Sequence, residues 1–132
     1  MKRQSPNWQA LLVPIEEAVD QLFYTCLGDR LNSVECRVVS EIDFVISIER
    51  PISTTESYLL DQQQDALAFE IGTTINQALK NRLFVLLSKQ FGLPVTSISF
   101  LQPTQLQKLN LLVLLDRSQT TLLVEATQRH NL

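Results

Sequence analysis

At 132 residues the chain has the length of one domain, enough to bury a core without disulfide or metal staples. Hydrophobic content of 45% and charged content of 19% are those of an ordinary folded protein, and a net charge of −3 argues against a phosphate-dominated partner. The longest apolar runs, Leu83 to Leu87 and Leu111 to Leu115, fall far short of the ~18 residues a membrane span needs.

In chain order, residues 1–13 read as an N-terminal arm whose basic start has no apolar stretch behind it, so no secretion signal is expected. Trp8 belongs either to an extra helical turn or to an arm that packs on a neighbour. Ile15, Val19, Leu22, Phe23 and Cys26 then mark one side of an amphipathic helix from Pro14 to Leu27, stopped by Gly28. Two alternating stretches follow, Val34–Val39 and Ile42–Glu49. In the second, Ile42, Phe44, Ile46 and Ile48 share a face and Asp43, Ser47 and Glu49 point away. The two-residue connection Ser40-Glu41 suits a hairpin. Arg37 and Arg50 are read as surface partners of Asp43 and Glu49.

The stretch from Pro51 to Pro94 organises the rest. Ser53 and Glu56 have the spacing of a reciprocal capping box. At the other end Gly92 suits the left-handed residue past a helix terminus, and Pro94 bars continuation. Leu60, Leu67, Ile71, Ile75, Leu79, Leu83 and Leu87 recur at helical spacing and predict a core-facing stripe. A single helix from Thr54 to Phe91 would run about 55 Å, longer than a domain of this size. A break is therefore expected at Asp61-Gln62-Gln63-Gln64-Asp65, with Gly72 the second choice. The end of the helix, Leu83 to Leu87, is apolar on all sides and demands cover. Leu83, Phe84, Leu86 and Leu87 are accordingly the expected buried or interfacial residues, with Trp8 as a secondary contact.

Val95–Phe100 and Leu109–Asp116 read as two further strands, the last apolar on both faces and suited to a central position. Arg117–Gln119 is a turn, and Thr121–Ala126 is either strand or helix. The expected fold is therefore α+β, a mostly antiparallel sheet of about four strands in two hairpins against a long central helix and an N-terminal helix. The domain spans residues 14–116, with 117–132 as a C-terminal extension.

Chemistry is sparse. The sole histidine, His130, lies next to the end of the sequence, and Gly28, Gly72 and Gly92 form no phosphate loop or dinucleotide fingerprint. Cys26 and Cys36 sit at no metal or redox spacing and are read as small core residues. Asp61 and Asp65 are read as a solvated face at the helix break. Lys80 and Lys89 fall on opposite helix sides, which disfavours a basic stripe for nucleic acid. No catalytic, cofactor-binding or metal-binding set is expected.

From about Leu27 to Asp116 the order of signals resembles the MpsC-like family. That family is named after a sodium-translocating, membrane-potential-generating system and carries no agreed activity. The resemblance rests on the hairpin Val34–Glu49, on Ile52-Ser53-Thr54-Thr55-Glu56 in place of a Leu-Thr-x-x-Glu motif, on Phe91-Gly92-Leu93-Pro94-Val95 in place of Thr-Gly-x-x-Val, and on the closing apolar strand. Arg30-Leu31 depart from the family's Gly-Pro before the first strand. What the resemblance implies is a non-enzymatic protein, associated with ion or inorganic-carbon transport machinery. The residues and the resemblance together lead to an interaction or regulatory module, homodimeric and cytoplasmic. Its rivals are a peripheral subunit of a membrane transport system and a small-molecule or nucleotide sensor.

Overall fold

The computed structural model describes residues 10–102 and 105–116. Trp8, the stretch 117–132 and His130 lie outside the described residues. The elements are α1 (Leu12–Leu27), β1 (Ser33–Val38), β2 (Asp43–Glu49), α2 (Thr54–Asp61), α3 (Asp65–Val85), β3 (Val95–Phe100) and β4 (Lys108–Leu115). A π-helical turn, Leu86–Gln90, continues α3. The strands form one antiparallel sheet in the order β1-β2-β4-β3. The class is α+β, as the patterning predicts.

β4 takes the interior position its two apolar faces suggest, between β2 and β3. On the inner face Phe44, Ile46 and Ile48 of β2 pair with Val113, Leu111 and Leu109 of β4, and all six are buried. Ile15, Val19 and Phe23 of α1 and Leu79, Leu83 and Leu87 of the long helix cover that face and complete one core. On the opposite face Ser47 donates to Asn110 Oδ1 at 2.8 Å, a cross-strand polar pair that marks the outward side. Between Val95 and Ser97 the β3–β4 register shifts, so a bulge at Thr96 bends the edge strand.

α1 begins two residues before Pro14, which therefore sits in the first turn, where its missing N–H costs nothing. Its C-cap Gly28 has φ 82° and donates its N–H to the Tyr24 carbonyl. Cys26 is exposed on this helix rather than buried. At about 100° per residue it lies on the side that carries Ile15, Val19 and Phe23, but in the last turn of the helix, two residues before the C-cap Gly28. Cys36 is half-buried on the inner side of β1, and its N–H donates to Glu16 Oε2 at 2.7 Å.

The break between α2 and α3 lies at Gln62–Gln64, with Gln63 at φ 59°, inside the expected stretch. Gly72 is no break; the helix runs through it. The predicted stripe holds only in its second half. Leu79, Leu83 and Leu87 are buried, whereas Leu60 and Leu67 are exposed and Ile71 and Ile75 are half-buried. In the first half the buried positions are Ala68, Gly72 and Asn76, small or polar residues displaced by one from the predicted ones. A four-residue step overshoots an α-helical turn by about 40°, so Leu79, Leu83 and Leu87 would drift off the core. The wider winding of the π turn corrects that drift and keeps Leu87 inside.

Candidate functional site

The parity that buries Phe44, Ile46 and Ile48 carries Arg50 inward as well. Arg50 is 0% exposed, Glu56 1% and Asn76 3%, and together they form a polar cluster in the interior. This corrects the surface placement of Arg50. Its guanidinium makes a fork with the Glu56 carboxylate, Nη1 to Oε1 at 2.8 Å and Nη2 to Oε2 at 3.0 Å. The Nε–H donates to Asn76 Oδ1 at 2.8 Å, and Nη1 also donates to the Pro51 carbonyl at 3.0 Å. Asn76 passes the network on by donating from Nδ2 to the Leu106 carbonyl at 3.2 Å. The Arg50 backbone N–H donates to the Gln107 carbonyl at 2.8 Å.

Glu56 performs the role its spacing predicts and a second one besides. The Ser53 hydroxyl accepts the Glu56 N–H at 3.2 Å, and Glu56 Oε1 accepts the Ser53 N–H at 3.0 Å, completing a capping box at the start of α2. Burial pushes the Glu56 carboxyl up, but hydrogen bonds from Arg50 and Ser53 outweigh it and hold the group below its ordinary value. The carboxylate is thus ionised and fully engaged. It joins the end of β2 to α2, while Asn76 joins both to α3 and to the segment before β4.

Gly72 makes room for this cluster. A Cβ there would overlap Glu56 Oε2 and stand 3.0 Å from both methyl groups of Leu106. The glycine is a close-approach residue inside a straight helix, and its ~1 kcal/mol propensity penalty is offset by the contact it permits.

Of the other residues singled out in the sequence, Gly92 has φ 64° and follows the π turn, where Leu93 N–H donates back to the Leu87 carbonyl at 3.0 Å. Leu83 and Leu87 lie in the chain's own core, whereas Phe84 reaches the surface and Leu86 is half-buried. Phe84 lies beside Lys80, Asn81, Ser97 and Ile98 on the β3 side of the helix. Leu86 lies on the other side, in a groove of about 710 Å³ lined also by Leu22 of α1 and by Ala78, Arg82, Val85 and Lys89.

Comparison with protein-family models, with curated proteins and with solved structures gives no match to this chain. The site must therefore be read from its own chemistry. Among the described residues no group of three His, Cys, Asp or Glu side chains is placed to hold a metal ion, and no helix is long and apolar enough to cross a membrane. Lys80 is drawn away from the groove, its ammonium 5.2 Å from the Phe100 ring centre. Arg82 and Lys89 leave the groove's rim positively charged around an apolar floor. Such a surface suits an apolar ridge flanked by acids.

Proposed function

We propose that this chain is a non-enzymatic interaction or regulatory module of the MpsC-like type that works as a homodimer. The observation that carries this reading is how the buried polar groups and the exposed apolar groups are distributed. Arg50, Glu56 and Asn76 satisfy one another in the interior, so their hydrogen-bonding capacity is spent on holding elements together. Among the described residues, six large exposed apolar side chains, Tyr58, Leu60, Leu67, Phe69, Phe84 and Val85, lie on α2 and α3, and others stand on α1 and the loops. Apolar surface left on these helices favours a protein partner.

Size-exclusion chromatography with light scattering at micromolar concentration tests the reading. A species of twice the 15.0 kDa chain mass is expected; a 15.0 kDa monomer throughout that range would overturn it. The family resemblance adds a transport-associated protein as a further partner, for which co-purification with a membrane protein is the check.

A further inference from the structure

We infer that the second copy binds along α3, antiparallel to it, about a two-fold axis that passes between the two helices at the level between Ile75 and Ala78. The inference rests on the homodimer reading above and gives it a surface and a register.

The surface is a stripe one side of the buried face. Leu67, Ile71, Ile75, Ala78, Arg82, Val85 and Lys89 are spaced 4, 4, 3, 4, 3 and 4 apart. That alternation of threes and fours keeps a row of side chains on one side of a helix over many turns and is the pattern of helices that pair. Within it Leu67 is 43% exposed and Val85 51%, and Ala78 is exposed as well.

The two halves of the stripe differ in shape. From Ala78 onward it forms the floor of the groove whose far wall includes Leu22 of α1. Leu67, Ile71 and Ile75 lie outside that groove, Leu67 exposed and Ile71 and Ile75 half-buried, with Ile75 also packed against the chain's own core. A two-fold rotation seats this row of each copy in the groove of the other, so one contact is made twice, as a self-complementary interface requires. Leu67 then meets the partner subunit's Val85, Ile71 lies along the alkyl stem of the partner subunit's Arg82, and Ile75 meets the partner subunit's Ala78. The small side chain of Ala78 is the hole that accepts Ile75.

Charge fixes the direction. From Asp61 to Glu70 every charged residue is acidic (Asp61, Asp65, Glu70), and from Lys80 to Lys89 every one is basic (Lys80, Arg82, Lys89). Attraction to the helix dipole accounts for Asp65 in the first turn and for Arg82 and Lys89 at the C-terminal end, but it fades within one turn of each end. Glu70 lies beyond its reach. Antiparallel pairing sets the acidic half of each helix alongside the basic half of the other, whereas parallel pairing would set like charges together. Of the interface residues expected from the sequence, only Leu86 lines this surface.

Cysteine cross-linking on a Cys26→Ser/Cys36→Ser background tests the register, because a disulfide forms only where Cα atoms come within about 7 Å. Leu67→Cys and Val85→Cys are expected to cross-link when mixed and not when each is oxidised alone. Ala78→Cys, near the axis, is expected to cross-link with itself. Parallel pairing gives the reverse for the first two and overturns the inference. A dimer by light scattering with no cross-link in the mixture, and with Ala78→Cys still reduced, overturns the surface but leaves the homodimer standing; a monomer overturns both. As a second measurement, Glu70→Arg and Arg82→Glu are each expected to weaken dimerisation about tenfold, with circular dichroism unchanged. Dimerisation unchanged in both variants refutes the part assigned to charge.

Discussion

Glu56→Gln keeps the size of the side chain while removing its charge, and so isolates what the ion pair contributes. Arg50, with no exposed surface, would be left with Asn76 Oδ1, the Pro51 carbonyl and one neutral amide oxygen. Removing one partner of a buried pair costs about 3–5 kcal/mol, because the remaining charge stays buried. The amide oxygen retains about 1 kcal/mol of that as a neutral hydrogen bond, which leaves a loss of about 2–4 kcal/mol. Unfolding entropy of ~2.1 cal/mol/K per residue gives about 0.28 kcal/mol/K for 132 residues, so the melting temperature should fall by about 7–14 °C. The assay is urea and thermal unfolding followed by circular dichroism, at one fixed protein concentration because dimerisation would otherwise shift the midpoint. Ser53→Ala is the reference, since it removes only the cap's acceptor and should cost about 1 kcal/mol. Arg50→Met combined with Glu56→Gln should recover part of the loss, because no unpaired charge remains inside. If Glu56→Gln costs no more than Ser53→Ala, the ion pair is not what fixes this part of the fold.

Gly72→Ala should destabilise by about 1–3 kcal/mol despite the better helix propensity of alanine. Its methyl group must displace Glu56 Oε2 and the Leu106 methyls; an unchanged urea midpoint would refute the close approach. One thiol per chain, that of exposed Cys26, should react promptly with a thiol reagent at pH 8. Cys36, whose thiol is pushed up to about 12 by burial and then by Glu16 and Glu35, should react only on unfolding; equal rates for both would contradict this. On acidification the Glu56 contribution has a fixed sign. Its carboxyl is held below the 4.5 of the free group, so the stabilisation is full above pH 4.5 and is lost as pH falls through the folded-state value. The stability gap between wild type and Glu56→Gln should therefore close in acid, and a gap that widens there would refute the assignment.

Where local chemistry decides, the sequence is readable. The capping box needs only a serine and a glutamate three residues apart, and the stop at Gly92 needs only a glycine before Leu93-Pro94. The strand alternation from Phe44 to Ile48 likewise states which side is buried. Arg50 shows where such reading stops short. Its parity pointed inward, but a charge is assigned to the surface by default, and its partners Glu56 and Asn76 lie 6 and 26 residues away. A glutamate already explained as a cap carried no sign of a second duty. The misplaced stripe has a related cause. Leu67 and Ile71 are the larger apolar residues, so periodicity favours them, yet Ala68, Gly72 and Asn76 are buried because α2 and the Leu106 segment come too close for anything bulky. Side-chain size marks what could fill a core; it does not reveal where neighbouring side chains have left no room.

The two findings belong together. The apolar core takes Leu79, Leu83 and Leu87 from the long helix, with Ile75 and Leu86 packed half-buried against it. Ahead of Leu79, α3 is held through Asn76 by Arg50, and through Gly72 by the Glu56 carboxylate and Leu106 that press against it. Apolar packing tolerates small rotations of a helix, whereas a forked ion pair with a side-chain amide fixed on its third nitrogen does not. That difference matters for a surface in which one side of α3, and not its neighbour, must meet a second copy. The polar cluster thus fixes the rotation of the half-helix that carries Leu67, Ile71 and Ile75, and with it the side that these residues present. A buried charge pair adds little net stability over apolar packing of the same volume. Its use here is orientational: it leaves Leu67 exposed and Ile71 and Ile75 half-buried while burying Ala68, Gly72 and Asn76 beside them.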